Sequence, residues 1–236
     1  MDPQPQPESF HWSECAERLR ALLAEGSLSL EADGEFFEGP GLRVVPPLVY
    51  PWRKPAAGAR PYGGSAAESA ARRAGAGSAD AFAQYLAGLP VEPGLHCLIL
   101  LQAGAASLGM FEGGEALTTK TLKRYVVRGK GKAQPGYLAA KGKSRYGSRL
   151  RLQNARLLVD EVNAKLHEYW DEFGTPEQIF VNAPKRLWPD LWRGKEHPPF
   201  DQDAATVRVP LDLPVPTTDV LLRTYKSLCY GRILRP

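Results

Sequence analysis

The run LHCLILL, residues 95–101, narrows most sharply what this chain can become. Apart from His96 it is apolar, and it does not alternate. Successive side chains of a strand point to opposite faces, so a strand with one wet face alternates polar and apolar residues. A strand without a polar face has to be covered on both sides. The run therefore predicts a central, doubly covered strand, and it is far too short to span a bilayer.

The neighbouring patterns build outward from it. Gln102-Ala103-Gly104 reads as a turn, 105–111 as a second strand, Glu112-Gly113-Gly114-Glu115 as a second turn and 120–128 as a third strand. Together they make an antiparallel meander. A long loop, 128–146, leads into an amphipathic helix of more than twenty residues, marked by apolar positions from Leu150 to Phe173 and ended by Gly174-Thr175-Pro176. Residues 178–182 (QIFVN) read as a short buried strand, and Pro184 opens a short helix, KRLWPDLWRG. Residues 206–210 read as a last strand. Thr217-Thr218 caps a C-terminal helix with Val220, Leu221, Tyr225 and Leu228 on its inner face. The order β-β-β-loop-α-β-α-β-α predicts a mixed β-sheet with packed helices around one core, an α/β (α+β) class.

Upstream, residues 1–7 are Pro/Gln-rich and expected to be disordered. Residues 8–25 predict a helix from Phe10, Cys15, Leu19, Leu22 and Leu23, with Gly26 as its stop, and 28–48 predict short strands. Residues 51–78 are rich in Ala, Gly, Arg and Pro and read as a linker; 79–89 turns helical again, with Phe82, Tyr85 and Leu86 on one face. The expected division is thus an accessory segment over residues 1–50, a linker over 51–78 and a main domain over 79–236.

The net charge of +4 hides an asymmetry. Between Ala116 and Val159 there are twelve Lys or Arg and no Asp or Glu; the remaining eighteen basic and twenty-six acidic residues leave the rest of the chain at −8. At the centre of the window lies RGKGKAQPGYLAAKGKSRY, with four glycines, six basic residues, no acid and a single glutamine, Gln134. Clustered positive charge is the footprint of a nucleic-acid contact, because each neutralised phosphate releases counterions. The plainer reading is a solvated basic face. Loops longer than about fifteen residues are uncommon inside a compact core and usually functional, which favours the first.

Other chemistry is poorly supported. Cys15, Cys97 and Cys229 are far apart and odd in number, and none has metal-ligand spacing with His11, His96, His167 or His197. Buried thiols in a reducing, cytoplasmic compartment are expected, with no cofactor and no metal. MDPQPQPESF has neither the basic nor the apolar region of a signal peptide. Asp160 and Glu161 are expected to face solvent rather than to form a carboxylate pair. His96 reads as a satisfied core or edge histidine, and His167 as exposed. Trp188 and Trp192, four apart, read as packing residues. No Ser-His-Asp set, phosphate-binding loop or dinucleotide fingerprint is present.

One order of elements stands out from residue 120 on: KTLKRYVVR, then Gly131-x-x-Gln134, then Gly147-Ser148-Arg149-Leu150-Arg151 up to Asn154, a long helix, the strand IFVNAP, and a Pro216-Thr217 helix start. It resembles the catalytic domain of the release-factor-like peptidyl-tRNA hydrolases of ribosome-associated quality control. Those proteins are similar to the middle domain of eukaryotic and archaeal class I release factors, and the resemblance covers roughly residues 79–232. It implies that 79–236 is the catalytic domain. Gln134 and Gly131 match the family's Gly-x-x-Gln element. Arg124, Tyr125 and Arg128 match the strand leading in, and Arg151 and Asn154 match the start of the following helix. With Lys130, Lys132, Lys141, Lys143, Arg145 and Arg149 these form the expected RNA-binding set. Release factors proper have Gly-Gly directly before the glutamine; here Lys132-Ala133 stands there, at a cost in backbone freedom. The zinc finger, ankyrin repeats and segregase-binding helix of the eukaryotic members are not visible, so coupling to a segregase is not implied. The partners implied are the ribosome or its large subunit, peptidyl-tRNA and rRNA, for a protein that is a monomer off the ribosome and binds no membrane.

The resemblance implies hydrolysis of the ester that joins a stalled nascent chain to tRNA, with Gln134 positioning water and stabilising charge rather than acting as a base. Two other functions remain open: endonucleolytic cleavage near the tRNA 3′ end, with Arg124 and Arg151 stabilising a phosphorane, and non-catalytic ribosome or tRNA binding. All three need the basic window to neutralise phosphates. Affinity for tRNA or ribosomes, measured by filter binding or sedimentation, is therefore expected to fall steeply with added salt; a flat response rules out the polyanion reading.

Overall fold

The computed structural model describes residues 7–25, 29–30, 36–39, 41–50, 82, 85–126, 143–202, 204 and 206–235. The expected disorder of residues 1–7 and the linker 51–78 fall almost wholly outside the described residues. The chain forms two compact units, Leu95–Leu222 and Met1–Gly94 with Arg223–Pro236. These do not coincide with the division read from the sequence, which places a boundary near residue 79 and keeps the C-terminus with the main domain.

The first unit is built on the apolar run. β5 (His96–Gln102) is buried along all but its last residue. It pairs antiparallel with β6 (Ala105–Glu112), which pairs antiparallel with β7 (Glu115–Lys123). On its other side β5 pairs parallel with β8 (Gln178–Asn182), which pairs parallel with β9 (Thr206–Arg208). The sheet is therefore mixed, in the order β7-β6-β5-β8-β9, with β5 at its centre. The long helix, here α2 (Lys143–Phe173), buries Leu158, Val162, Leu166 and Tyr169 at spacings of three and four. Tyr169 lies near Thr118 and Cys97, which share a cross-strand row with Met110. The C-terminal helix, here α3 (Thr218–Leu228), uses the neighbouring row. A Cβ on Gly109 would lie 2.9 Å from Leu221 Cδ2, and Thr218 Oγ1 lies 3.1 Å from Thr121 Oγ1. Adjacent rows face opposite ways, so the two helices cover opposite faces of the sheet, which is why β5 carries no polar face. Val220 N–H donates to Thr217 Oγ1 at 3.2 Å, the expected cap.

The second unit holds a five-stranded antiparallel sheet in the order β1-β10-β4-β3-β2: β1 (Glu8–His11), β2 (Ser29–Leu30), β3 (Phe37–Gly39), β4 (Leu42–Val45) and β10 (Tyr230–Leu234). Helix α1 (Cys15–Glu25) presents Cys15, Leu19 and Leu22 to a core that includes Phe10, Phe37, Val44, Tyr50, Phe82, Tyr85 and Ile233. Phe37 packs edge-on against Phe82 with centroids 4.8 Å apart.

Four expectations are corrected. Residues 8–25 are not one helix. Glu8–His11 is a strand, because it pairs with β10 more than two hundred residues away, a partner that local periodicity cannot show. Phe10 lies across from Gly231, where a Cβ would come within 2.4 Å of the Phe10 ring. That C-terminal strand is the second correction, since the sequence pattern ends at the C-terminal helix. The third meander strand runs Glu115–Lys123, not 120–128: Lys123 pairs with Ala105, the first residue of β6, so the ladder has no partner to continue along. Finally, KRLWPDLWRG is a turn followed by a 3-10 helix, Trp188–Arg193. Pro189 lacks the amide an α-helix would use there.

His96 is buried against Phe180, with ring centroids 5.2 Å apart. Burial disfavours the charged imidazole and pushes its pKa down to about 4 from the usual 6.5. Its folded pKa is depressed, so its contribution is complete above the unfolded pKa and is lost as pH falls from about 6.5 to about 4. In urea titrations at pH 7 and pH 4, the wild type should lose about 3 kcal/mol more than His96→Gln over that interval. Equal losses would show that this imidazole does not govern the acid side.

Candidate functional site

The chain leaves the sheet at Arg124. Its N–H donates to the Gly104 carbonyl at 2.8 Å, the last backbone bond between this edge and the β5–β6 turn. Gly104 has φ of +84°, and a Cβ there would stand 2.7 Å from the Arg124 carbonyl oxygen. The turn therefore needs glycine twice over, for a left-handed backbone and for the close passage of the departing chain.

Helix α2 then takes hold of Arg124 and of Tyr125, the residue after it. Arg124 forms a two-pronged ion pair with Glu161: Nε donates to Oε2 at 3.2 Å, and Nη2 contacts Oε1. The carboxylate, by hydrogen bonding and by charge, raises the guanidinium pKa above its ordinary value. Asn154 Nδ2 donates to the Tyr125 carbonyl at 2.8 Å. Asn154 and Glu161 are seven apart, two turns along one helix face. The Tyr125 ring is 57% exposed.

Two carboxylates expected to face solvent thus have partners within the protein. Glu161 holds Arg124, and Asp160 Oδ1 accepts from Lys195 N–H at 2.9 Å. His167, expected exposed, is partly buried and lies 2.8 Å from the His197 carbonyl. His96, Trp188 and Trp192 sit as expected, with Trp188 buried edge-on to Trp192 at 5.2 Å. Sequence reasoning has no reason to single out Gly104 or Glu161. The first is a turn residue, and the second is one of five acids on a helix.

The helix starts at Lys143, inside the stretch that reads as the basic loop, so Lys143 and Arg145 belong to its first turn and Arg149, Arg151 and Asn154 lie further along it. Asn154 is about three turns in, not at the helix start. Gly131, Gln134, Arg128, Lys130, Lys132 and Lys141 lie outside the described residues. From Lys143 to Val159 the helix carries no acid, and its acids follow from Asp160 onward. A helix macrodipole favours acids at its N-terminus and bases at its C-terminus; α2 has no acid in its first turn and no base in its last. Helix stability therefore does not explain this layout. Arg149, Arg151 and Arg156 form no ion pair among the described residues. With no acid among them they make this stretch of the helix positive, which suits a polyanion. Among the described residues no cluster of three His, Cys, Asp or Glu could hold a metal ion, and no helix is long and apolar enough to cross a membrane.

Comparison with known proteins gives three likenesses. Residues 96–235 match the model of a family described as Bacteroidetes VLRF1 release factor. A 140-residue stretch is 32% identical to the tRNA endonuclease ANKZF1 of Bos taurus, covering 56% of this chain and 19% of that protein. The chain thus aligns with about a fifth of the length of that curated relative. A solved structure of the Vms1 mitochondrial localization core superposes over 94% of this chain and 82% of that one, with a TM-score of 0.41 and 12% identity.

The Gly104 geometry makes a direct prediction. Gly104→Ala meets both backbone strain and the Arg124 carbonyl and should cost about 2–3 kcal/mol in urea unfolding. Gly113→Ala, also at positive φ but with open space around its Cβ, should cost only about 1 kcal/mol. Equal losses would mean that the close passage of the chain contributes nothing.

Proposed function

The chain belongs to the Bacteroidetes VLRF1 release factor family, and from that premise we propose that it is a ribosome-associated hydrolase that frees stalled nascent chains from tRNA. The observation that carries this reading is the pinned exit at Arg124–Tyr125 beside an acid-free, arginine-bearing stretch of α2. Residues 127–142, with Gly131 and Gln134, join these two features. Along the helix, Lys143 and Asn154 are about 16 Å apart, whereas sixteen residues have a contour of roughly 55 Å. The chain between them is long enough to carry a side chain well away from the helix.

The chemistry asked of that side chain is positional. Water must be held in line with the ester carbonyl, and the developing oxyanion needs a donor. The Gln134 amide serves the first task and its backbone N–H the second. Lys130, Lys132, Lys141 and the helix arginines neutralise phosphates around the 3′ end without reading sequence. The cytoplasm and the large ribosomal subunit are the proposed setting.

A second reading draws on the likeness to a tRNA endonuclease. Cleavage at the tRNA 3′ end would use a ribose 2′-hydroxyl as nucleophile and would need a cation at the phosphorane. With Arg124 engaged by Glu161, Arg151 is the better placed candidate.

Purified protein incubated with stalled large-subunit complexes separates the readings. Ester hydrolysis leaves an intact tRNA 3′ end, and endonuclease action leaves a shortened one. Gln134→Ala should slow peptide release by roughly 100-fold or more, the usual loss when one positioned polar group is removed. Release at the wild-type rate would remove Gln134 from the mechanism.

A further inference from the structure

We propose that Glu161, with Asn154, is a positioning residue for the reaction: the two fix the direction in which the chain leaves the sheet toward the basic segment. The inference rests on the release-factor reading above and adds to it a role for residues that do not touch substrate.

The Arg124–Glu161 pair adds little to stability. Its side chains are 37% and 38% exposed. A pair that exposed contributes little to folding, because water screens it and two long side chains lose freedom. Its value lies in geometry. A two-pronged guanidinium–carboxylate contact fixes orientation as well as distance. The next residue is held independently, by Asn154 Nδ2 on the Tyr125 carbonyl at 2.8 Å. A third contact, from Arg124 N–H to the Gly104 carbonyl, comes from a different element. One attachment would leave the chain free to swivel. Three, on two consecutive residues and from two elements, define a direction.

These contacts stand where they are needed. The β7 ladder ends at Lys123, so strand pairing can no longer orient the backbone from Arg124 on. Glu161 is also among the first acids after the basic window, with Asp160 beside it. A carboxylate placed at random near that window would weaken attraction for phosphate. Here it is paired with Arg124, so orienting the chain cancels one of the twelve positive charges of the window and leaves the others. The same contacts give Arg124 and Asn154 a different duty from the RNA contacts expected of them: both side chains are spent on the protein itself.

A positioning role predicts a particular kinetic signature. Binding depends on many lysines and arginines and should be insensitive to one tilted exit. Reaction depends on placing one group within about an ångström, where misplacement can cost up to 100-fold. In single-turnover peptide release by the full chain, Glu161→Gln should lower the maximal rate by about tenfold or more and leave the half-saturating concentration within about twofold. Asn154→Ala should do the same. The exchanged pair Arg124→Glu with Glu161→Arg should recover most of the rate, which a general loss of stability would not allow. Glu172→Gln, on the same helix and away from the exit, is the control. Amide hydrogen exchange at Arg124–Val126 gives a readout without substrate: faster in Glu161→Gln and Asn154→Ala, restored in the exchanged pair. Wild-type rates in Glu161→Gln and Asn154→Ala, a shift in half-saturation with the maximal rate unchanged, or no recovery in the exchanged pair would each overturn the proposal. If wild-type protein cleaves neither ester nor phosphodiester, the release-factor reading fails. Amide exchange then decides the positioning role alone, and unchanged exchange overturns it.

Discussion

The constraint on which the Leu95–Leu222 unit depends is the double coverage of β5. A strand buried on both faces has to sit in the middle of its sheet and bring layers to either side. Here it pairs with β6 by a two-residue turn and with β8 through the long crossover that contains α2. Parallel pairing always needs such a crossover. Because α2 is thirty-one residues long, it has room for an acid-free basic stretch before the turns from Leu158 to Tyr169 that are packed. Tyr169 on one face and Leu221 on the other close the sheet between helices. Gly109 is the concession that lets Leu221 come close.

From that arrangement follows the character of the site. The β5–β6 turn and α2 are rigid elements, and both reach the first residues after β7. The charge pattern of α2 runs against its own macrodipole at both ends. Departures of this kind from local preference are expected where function sets the residue. The buried groups tell the opposite story. Cys97 and Tyr169 are held protonated by burial, with the tyrosine pushed up to about 12. In the other unit burial raises Cys15 to about 12. Groups made this hard to ionise are packing residues.

Much of the fold was legible because its signals are local. The uninterrupted apolar run, the glycine turns of the meander, the Gly174 stop with φ of +87° and the Thr217 cap all appear where periodicity and turn chemistry place them. What escaped was non-local pairing. Phe10 satisfies a helical pattern and a strand pattern equally well, and only the arrival of Gly231 opposite it decides between them. The end of β7 escaped for the same reason, since Val126 looks like a strand residue and lacks only a ladder partner. At the site, the basic window was plain in the sequence, but the partners of Asp160 and Glu161 were not. A helical acid looks the same in sequence whether it faces water or an arginine thirty-seven positions away.

The amino-acid sequence by itself determined the mixed α/β class, the central strand, the long helix and the placement of all excess positive charge in one acid-free window. It could do so because each rests on composition or on periodicity within a few turns of chain. Only the tertiary structure decided that the C-terminus returns as a strand beside β1 and β4, that the chain exit is gripped by Glu161 and Asn154, and that Gly104 must stay a glycine. Those outcomes depend on which backbone groups meet across long separations, and that is settled by the packing of the sheet and not by any stretch of residues alone.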